Sequence, residues 1–362
     1  MFGLKTIDRY IIKKFLGTFF LTIALIISIA VVFDIAEKMD DFLERKAPLE
    51  AIIFDYYLNF IPYYVNLFLF LFTFLSVVFF TSKMASRSEI VAILSSGVSF
   101  NRMLYPYFVS AAVIALLSFA LSNYIIPPST AIRLDFENTY LKNNYQFTDR
   151  NIHKQLEPGV VIYMEGYNTR ADIGYKFSIE KFVDGKLKSK LISDYIRWDT
   201  ITSKWTIYNY YIREIDGMTE KLTTGQSIDT TLKIFPEEFK RRKENYAETL
   251  IGPKLDDYIE EQRMRGSENV KRFMIEKYKR FAFPFSTFIL TLIGVALSSR
   301  KVRGGTGVHI GIGLLISFSY ILFMQVSFQF AIDGSMSPLL AVWVPNIIFG
   351  VVALVLYRLA PK

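Results

Sequence analysis

Six uncharged apolar runs, each at least 19 residues long, constrain this chain more than any other feature. They are Phe15 to Phe33, Tyr56 to Ser82, Met103 to Ile126, Phe281 to Ser299, Val308 to Ile332 and Leu339 to Tyr357. A 19-residue helix covers about 28 Å, close to the hydrocarbon thickness of a bilayer. The pattern predicts six membrane-spanning helices in a 3+3 arrangement. Pro127-Pro128 is expected to stop the third. Pro345 falls inside the sixth, where neighbouring helices can satisfy the carbonyl it frees. The first run is too long for a signal peptide, and Ile35-Ala36-Glu37 is no small-residue cleavage site, so it reads as a retained helix.

Charge placement gives the orientation. Lys5, Arg9, Lys13 and Lys14 precede span one. Lys83, Arg87 and Arg102 lie between spans two and three, Arg300, Lys301 and Arg303 between four and five, and Arg358 and Lys362 after six. These twelve basic residues face only Asp8 and Glu89, which predicts both termini on the cytoplasmic side. The other side opens with an acidic loop, Asp34 to Asp55, of seven acidic and three basic residues. A net charge of +8 and a pI near 9.3 would suit a nucleic-acid partner, but the inner rim accounts for the whole excess.

Residues 127 to about 280 form a large outer segment. Val160 to Tyr167 reads as a strand. Lys176 to Val183 and Leu187 to Trp198 flank Asp184-Gly185 and predict a hairpin. Trp205 to Ile215 is aromatic and β-branched, and Leu222 to Leu232 suggests one or two further strands. Successive strands without intervening helices predict antiparallel β structure of sandwich or jelly-roll type. Tyr208, Tyr210 and Tyr211 place aromatics on both faces. The sheet either buries one face and offers the other to a lipid or partner, or is a packed sandwich with exposed tyrosines. Pro236 to Asn245 and Leu255 to Arg265 read as helices, broken at Gly266-Ser267. A further helix from Glu268 is expected to run into span four. The expected layout is therefore residues 1–126 for spans one to three, 127–267 for the β domain and 268–362 for spans four to six. Lys271, Arg272, Lys277, Lys279 and Arg280 fall near the outer boundary. Cations there suit anionic lipid headgroups; the other reading is a solvated helical face.

Much chemistry is excluded. With no cysteine, there are no disulfides or thiolate sites, and two histidines (His153 and His309) cannot build a His-rich metal centre. No G-x-x-x-x-G-K-[ST] loop is present, and no Ser-His-Asp order or H-E-x-x-H motif. Gly304-Gly305-Thr306-Gly307 follows no strand, and reads as a flexible inner loop or as close packing through Gly307, Gly311 and Gly313. No carboxylate lies mid-span, which argues against a proton- or sodium-coupled carrier.

The loop between spans two and three is the most informative segment. Ser86-Arg87-Ser88-Glu89 has capping-box spacing, Ile90, Ile93 and Leu94 recur at helical spacing, and Gly97 supplies a stop. A short amphipathic helix is expected over about 86–96, on the cytoplasmic face. Glu89 then serves either as a cap or, with an apolar ridge, in docking to a soluble partner.

The segment S-R-S-E-I-V-A-I-L-S-S-G resembles the coupling-helix signature of the LptF/LptG permease family, the membrane subunits of the lipopolysaccharide export ABC transporter. The opening Ile7-Asp8-Arg9-Tyr10-Ile11 is more similar to the LptG branch. The 3+3 layout around an outer β domain matches along the whole chain. The resemblance implies an inner-membrane permease, not an enzyme, that pairs with an LptF-like second permease on an LptB-like ATPase dimer. It binds no cofactor itself; ATP and Mg belong to the ATPase. Arg87, Ser88, Glu89, Ile90, Ile93 and Leu94 would couple to that ATPase. Lipopolysaccharide would enter past spans one and five and leave through the β-jellyroll towards an LptC-like protein. Lys38, Lys271, Arg272, Lys277 and Arg280 are the candidate lipid contacts. One departure stands out: LptG-type proteins tend to carry basic residues near the outer end of span one, where this chain has Asp34, Glu37, Asp40 and Asp41 with only Lys38 basic. From other classes, a non-transporting envelope scaffold or an ion-coupled lipid carrier would fit the same layout.

Overall fold

The computed structural model describes residues 5–141, 150–236, 239, 246–267, 269–300 and 305–360. Within the described residues the chain forms two compact units. One comprises Met1–Lys142, Glu248–Gly252 and Lys271–Lys362, and the other Asn143–Ala247 and Pro253–Val270.

The first unit is helical, and six of its helices are long and apolar enough to cross a membrane. Helix α1 (Thr6–Glu44) has 39 residues and is about 58 Å long at the helical rise. It therefore overruns the expected span in both directions. Asp34 to Glu44 is not a loop but the last three turns of this helix, because the stretch contains no Gly or Pro to break it. Asp34 and Lys38 pair at i, i+4 across one turn, 2.6 Å apart. The helix ends at Arg45, and Lys46 turns the chain with a left-handed φ of 52°.

The second apolar run is not one helix either. Leu49–Ala51 and a π-helical turn, Ile52–Tyr57, lead into α2 (Leu58–Leu67). The backbone breaks at Phe68 (φ −103°, ψ 8°), and α3 (Leu69–Ser86) forms the span. Beside the break, Asn66 donates to Ser122 Oγ at 3.0 Å and accepts from Ser118 at 2.9 Å. A short helix, α4 (Glu89–Ser95), then leads to α5 (Phe100–Ala120). Pro127-Pro128 does not end this span. A π-helical turn (Leu121–Ile125) widens the backbone just ahead, and the prolines enter the first turn of α6 (Ile126–Tyr140), where their missing N–H groups cost little.

Near the other end of the chain, α7 (Gly252–Met264) stops at Gly266, whose φ of 68° suits glycine. Then come α8 (Val270–Ser298), α9 (Gly305–Asp333) and α10 (Pro338–Leu359), in place of the expected spans four to six. The expected helix over 236–245 and the charges Lys301, Arg303 and Lys362 lie outside the described residues, apart from Pro236 and Phe239. Helix α3 is the packing centre. A Cβ on Gly294 of α8 would sit 2.7 Å from Val77, and one on Gly313 of α9 would sit 3.3 Å from Phe74. Gly307 and Gly311 meet open space, so only Gly313 serves close packing. In the interior, Asn346 donates to the Ala282 carbonyl at 3.0 Å and accepts from Tyr320 at 2.9 Å.

The second unit is an open sheet of eight antiparallel strands. These are β1 (Ile152–Glu157), β2 (Val160–Met164), β3 (Gly166–Asn168), β4 (Ile173–Tyr175), β5 (Ser178–Val183), β6 (Lys186–Asp199), β7 (Lys204–Asp216) and β8 (Thr219–Thr230). The Asp184-Gly185 hairpin forms as expected, with φ of 52° and 73° at its two turn residues. Strands β1 and β4 went unread in the sequence, being short or rich in charge. The core of this unit contains Ile162, Met164, Phe177, Ile196, Trp205, Ile207 and Ile234, all 1% exposed or less. The tyrosine ambiguity has a local cause. Asn209 sits in β7 with φ 51° and donates to Asp194 on β6 at 2.9 Å. That pair shifts the alternation, so Trp205, Ile207 and then Tyr210 pack against the core. Tyr208 stacks instead on Tyr195, with ring centres 4.7 Å apart.

Candidate functional site

The corner between α3 and α5 holds the residues singled out for coupling. Capping-box spacing does not produce a capping box here. Ser86 stays in the last turn of α3, and its hydroxyl donates back to the Lys83 carbonyl at 2.9 Å. The joint is Ser88, in the left-handed region at φ 59° and ψ 15°, and α4 begins at Glu89 without a side-chain cap. A non-glycine residue there is uncommon and carries strain of roughly 1 kcal/mol. Gly97 closes the helix with φ 85°.

Helix α4 is amphipathic, but its apolar ridge points inward. Ile90 is 1% exposed, and Ile93 and Leu94 pack against the same core as Ile11, Phe15 and Phe100. Arg87, Ser88, Val91, Ala92 and Ser95 are exposed, with Val91 the large apolar group among them. Glu89 is half-buried and accepts the Tyr10 hydroxyl at 2.9 Å. The ridge thus roots α4, and the opposite face is what a partner would meet.

Two neighbours of this corner were missed. Asp8, in the first turn of α1, is 2% exposed. Its carboxylate accepts both terminal nitrogens of Arg102 at 2.7 and 2.6 Å and the Lys5 amide at 2.9 Å. The one sequence signal was Asp8 itself, the sole acid among four bases before span one. Tyr10 gave none. His309 is buried, with Nε2 3.1 Å from the Arg300 carbonyl.

The candidate lipid contacts lie at the opposite end of the helical unit and mostly have protein partners. Lys38 pairs with Asp34 and hydrogen-bonds the Tyr56 hydroxyl; Asp34 also accepts from Tyr57 at 3.0 Å. Arg280 is 3% exposed, donates to the Leu250 carbonyl at 2.8 Å and lies 3.4 Å from Glu276. Lys279 pairs with Glu276 as well. A small pocket there is lined by Tyr63, Asn66, Ser122, Glu248, Lys279 and Arg280, and burial pushes the Glu248 carboxyl up. Lys271 is exposed and reaches the Ile332 carbonyl at 3.3 Å; Arg272 is exposed and Lys277 half-buried. Arg280 is therefore a structural cation, and Lys271 and Arg272 are the accessible members of the set. Among the described residues, no group of three or more His, Cys, Asp or Glu side chains could hold a metal ion.

Six apolar helices and an antiparallel sheet define a multi-pass membrane protein with a β domain. The chain matches the family described as "Lipopolysaccharide export system permease LptF/LptG" over residues 9–359, and it belongs to that family. No individual curated protein matches it. The family makes it an inner-membrane component of a lipopolysaccharide exporter.

Proposed function

We propose that this chain is the LptG-type half of a permease that extracts lipopolysaccharide from the inner membrane with energy from a separate ATPase. The basic end, carrying Arg87, Arg102 and Arg300, faces the cytoplasm, so both termini and α4 lie there and the sheet unit lies in the periplasm. An LptB-like ATPase dimer takes up ATP and Mg, an LptF-like chain completes the permease, and an LptC-like protein receives the lipid from the sheet unit, as in a jelly-roll conduit. The observation that carries this reading is α4: a helix of about two turns with one face exposed, entered at Ser88 and rooted in the membrane core through Ile90, Ile93 and Leu94. Such an element can seat its outer face in a groove and pass a push inward.

Glu89 would be its coupling residue. Reconstituted with its partners in liposomes, the unmodified chain should release lipopolysaccharide to an acceptor only with ATP. Glu89→Ala should weaken ATPase retention or release at least tenfold while the helices stay folded. Glu89→Gln keeps an acceptor for Tyr10 and removes the charge, so it separates the partner contact from the internal one. Normal ATPase retention and normal release in Glu89→Ala would sink the coupling role. Release without ATP would favour a carrier, and no release at all a scaffold.

A further inference from the structure

The Asp8–Arg102 pair stands outside α4, on α1 and α5. Asp8 is almost fully buried and receives three hydrogen bonds, two of them from one guanidinium. A bidentate pair fixes orientation as well as distance. Arg102 stands in the first turn of α5, just after α4. Two residues beyond Asp8 on α1, Tyr10 holds Glu89, the first residue of α4. Helix α1 thus grips the coupling corner on both sides, and Ile11 and Phe15 share one core with Ile90 and Phe100 between the two grips.

Along its middle α1 is thinly held. Only 11% of its most apolar stretch is buried, against 72% for α3. Phe20, Leu21, Leu25, Val32 and Phe33 are all exposed. The far end is anchored again, by Phe42 in a core with Tyr56 and Phe136 and by Tyr57 on Asp34. The coupling corner therefore holds the near end of α1, and little holds the stretch between the two anchors.

We propose that Asp8 and Tyr10, through Arg102 and Glu89, form a bracket that makes α1 the helix driven by α4. Displacement of the coupling helix is delivered to α1 directly, not only through the core. These are positioning residues: they touch neither lipid nor nucleotide. The inference rests on the reading above that α4 engages the ATPase.

The test uses the full complex in liposomes containing lipopolysaccharide, with Asp8→Asn, Tyr10→Phe and the reversed pair Asp8→Arg with Arg102→Asp. In Asp8→Asn, complex yield and ATP hydrolysis should stay within about twofold while lipid released per ATP falls at least tenfold. Tyr10→Phe, an isosteric change at a half-exposed ring, should lower it about threefold. The reversed pair should recover at least half of the lost release. Unchanged release per ATP in both single variants overturns the bracket, as does a loss that only tracks complex yield, or a reversed pair that recovers nothing. A second readout separates failure of the bracket from failure of the export reading. This chain has no cysteine, so within it spin labels attach only at introduced Leu21→Cys and Ser96→Cys, with the label added before the chain is assembled with its partners. Their separation should be narrow and unmoved by nucleotide in the otherwise unmodified complex, and broad in Asp8→Asn. Equal widths overturn the bracket even if no lipid moves in any sample.

Discussion

The helical unit and the sheet unit solve the same burial problem in opposite solvents. In the helical unit, Leu21, Val32, Leu315, Leu322 and Leu354 stand exposed, while Asp8, Arg280 and Asn346 are buried and hydrogen-bonded. In the sheet unit the order reverses. Trp205, Phe177 and Ile196 are sealed, and the ion pairs Lys176–Glu165 and Arg213–Glu220 stand in water. Buried polar groups need partners in either setting. The helical unit uses them to join its elements, because apolar contact with lipid distinguishes no helix from another.

The sharpest test of this contrast is Trp205→Ala. It removes the largest sealed ring and the hydrogen bond from its indole to the Ile234 carbonyl at 2.9 Å. It should cost the sheet unit about 3–5 kcal/mol, read as faster hydrogen exchange over β6 and β7 with protection of α3 and α8 unchanged. Loss of protection in both units would mean that they fold as one. Gly294→Leu probes the other side. It forces a side chain into Val77, and overpacking of about 1–3 kcal/mol should lower the thermal midpoint of the helical unit alone. Asn209→Val removes both the left-handed residue and its bond to Asp194. A loss of about 1 kcal/mol is expected, with slower alternation-dependent packing of Tyr210 visible in its near-ultraviolet signal. A stabilised variant would refute the account of the shifted alternation.

The smallest effect is the pH response of the sheet unit. Lys176 beside Glu165, Lys233 beside Glu157 and Arg213 beside Glu220 each hold a carboxyl below the usual glutamate value of 4.5. A depressed folded value means stability present above the unfolded pKa and lost as pH falls through the folded one. The sheet unit should therefore weaken slightly below about pH 4.5, and salt should blunt the change because the pairs are exposed. A sheet unit that gains stability on acidification would contradict these pairs.

Much of this architecture was legible because its cause is local. Apolar length marked the six spans, and Asp184-Gly185 marked a hairpin whose turn needs two left-handed residues. Prolines misled where a π turn absorbed them at Pro127. The acidic stretch from Asp34 misled because charge suggested a loop while nothing broke the helix. At the candidate site, Glu89 and Ile90 announced a short helix by spacing. Which side of that helix faced inward was set by Ile11 and Phe15, far away in sequence. Asp8 and Arg102 lie 94 positions apart, and no periodicity links an acid on one helix to a base on another.

The two glycines set against α3 have a further consequence, in degrees of freedom. With Val77 pressed on Gly294 and Phe74 on Gly313, the spacing of α8 and α9 from α3 at these points is set by a bare backbone meeting a side chain. A larger residue at either glycine would have to push the helices apart. The long flank of α1, the most thinly buried of the six apolar stretches, carries no such constraint.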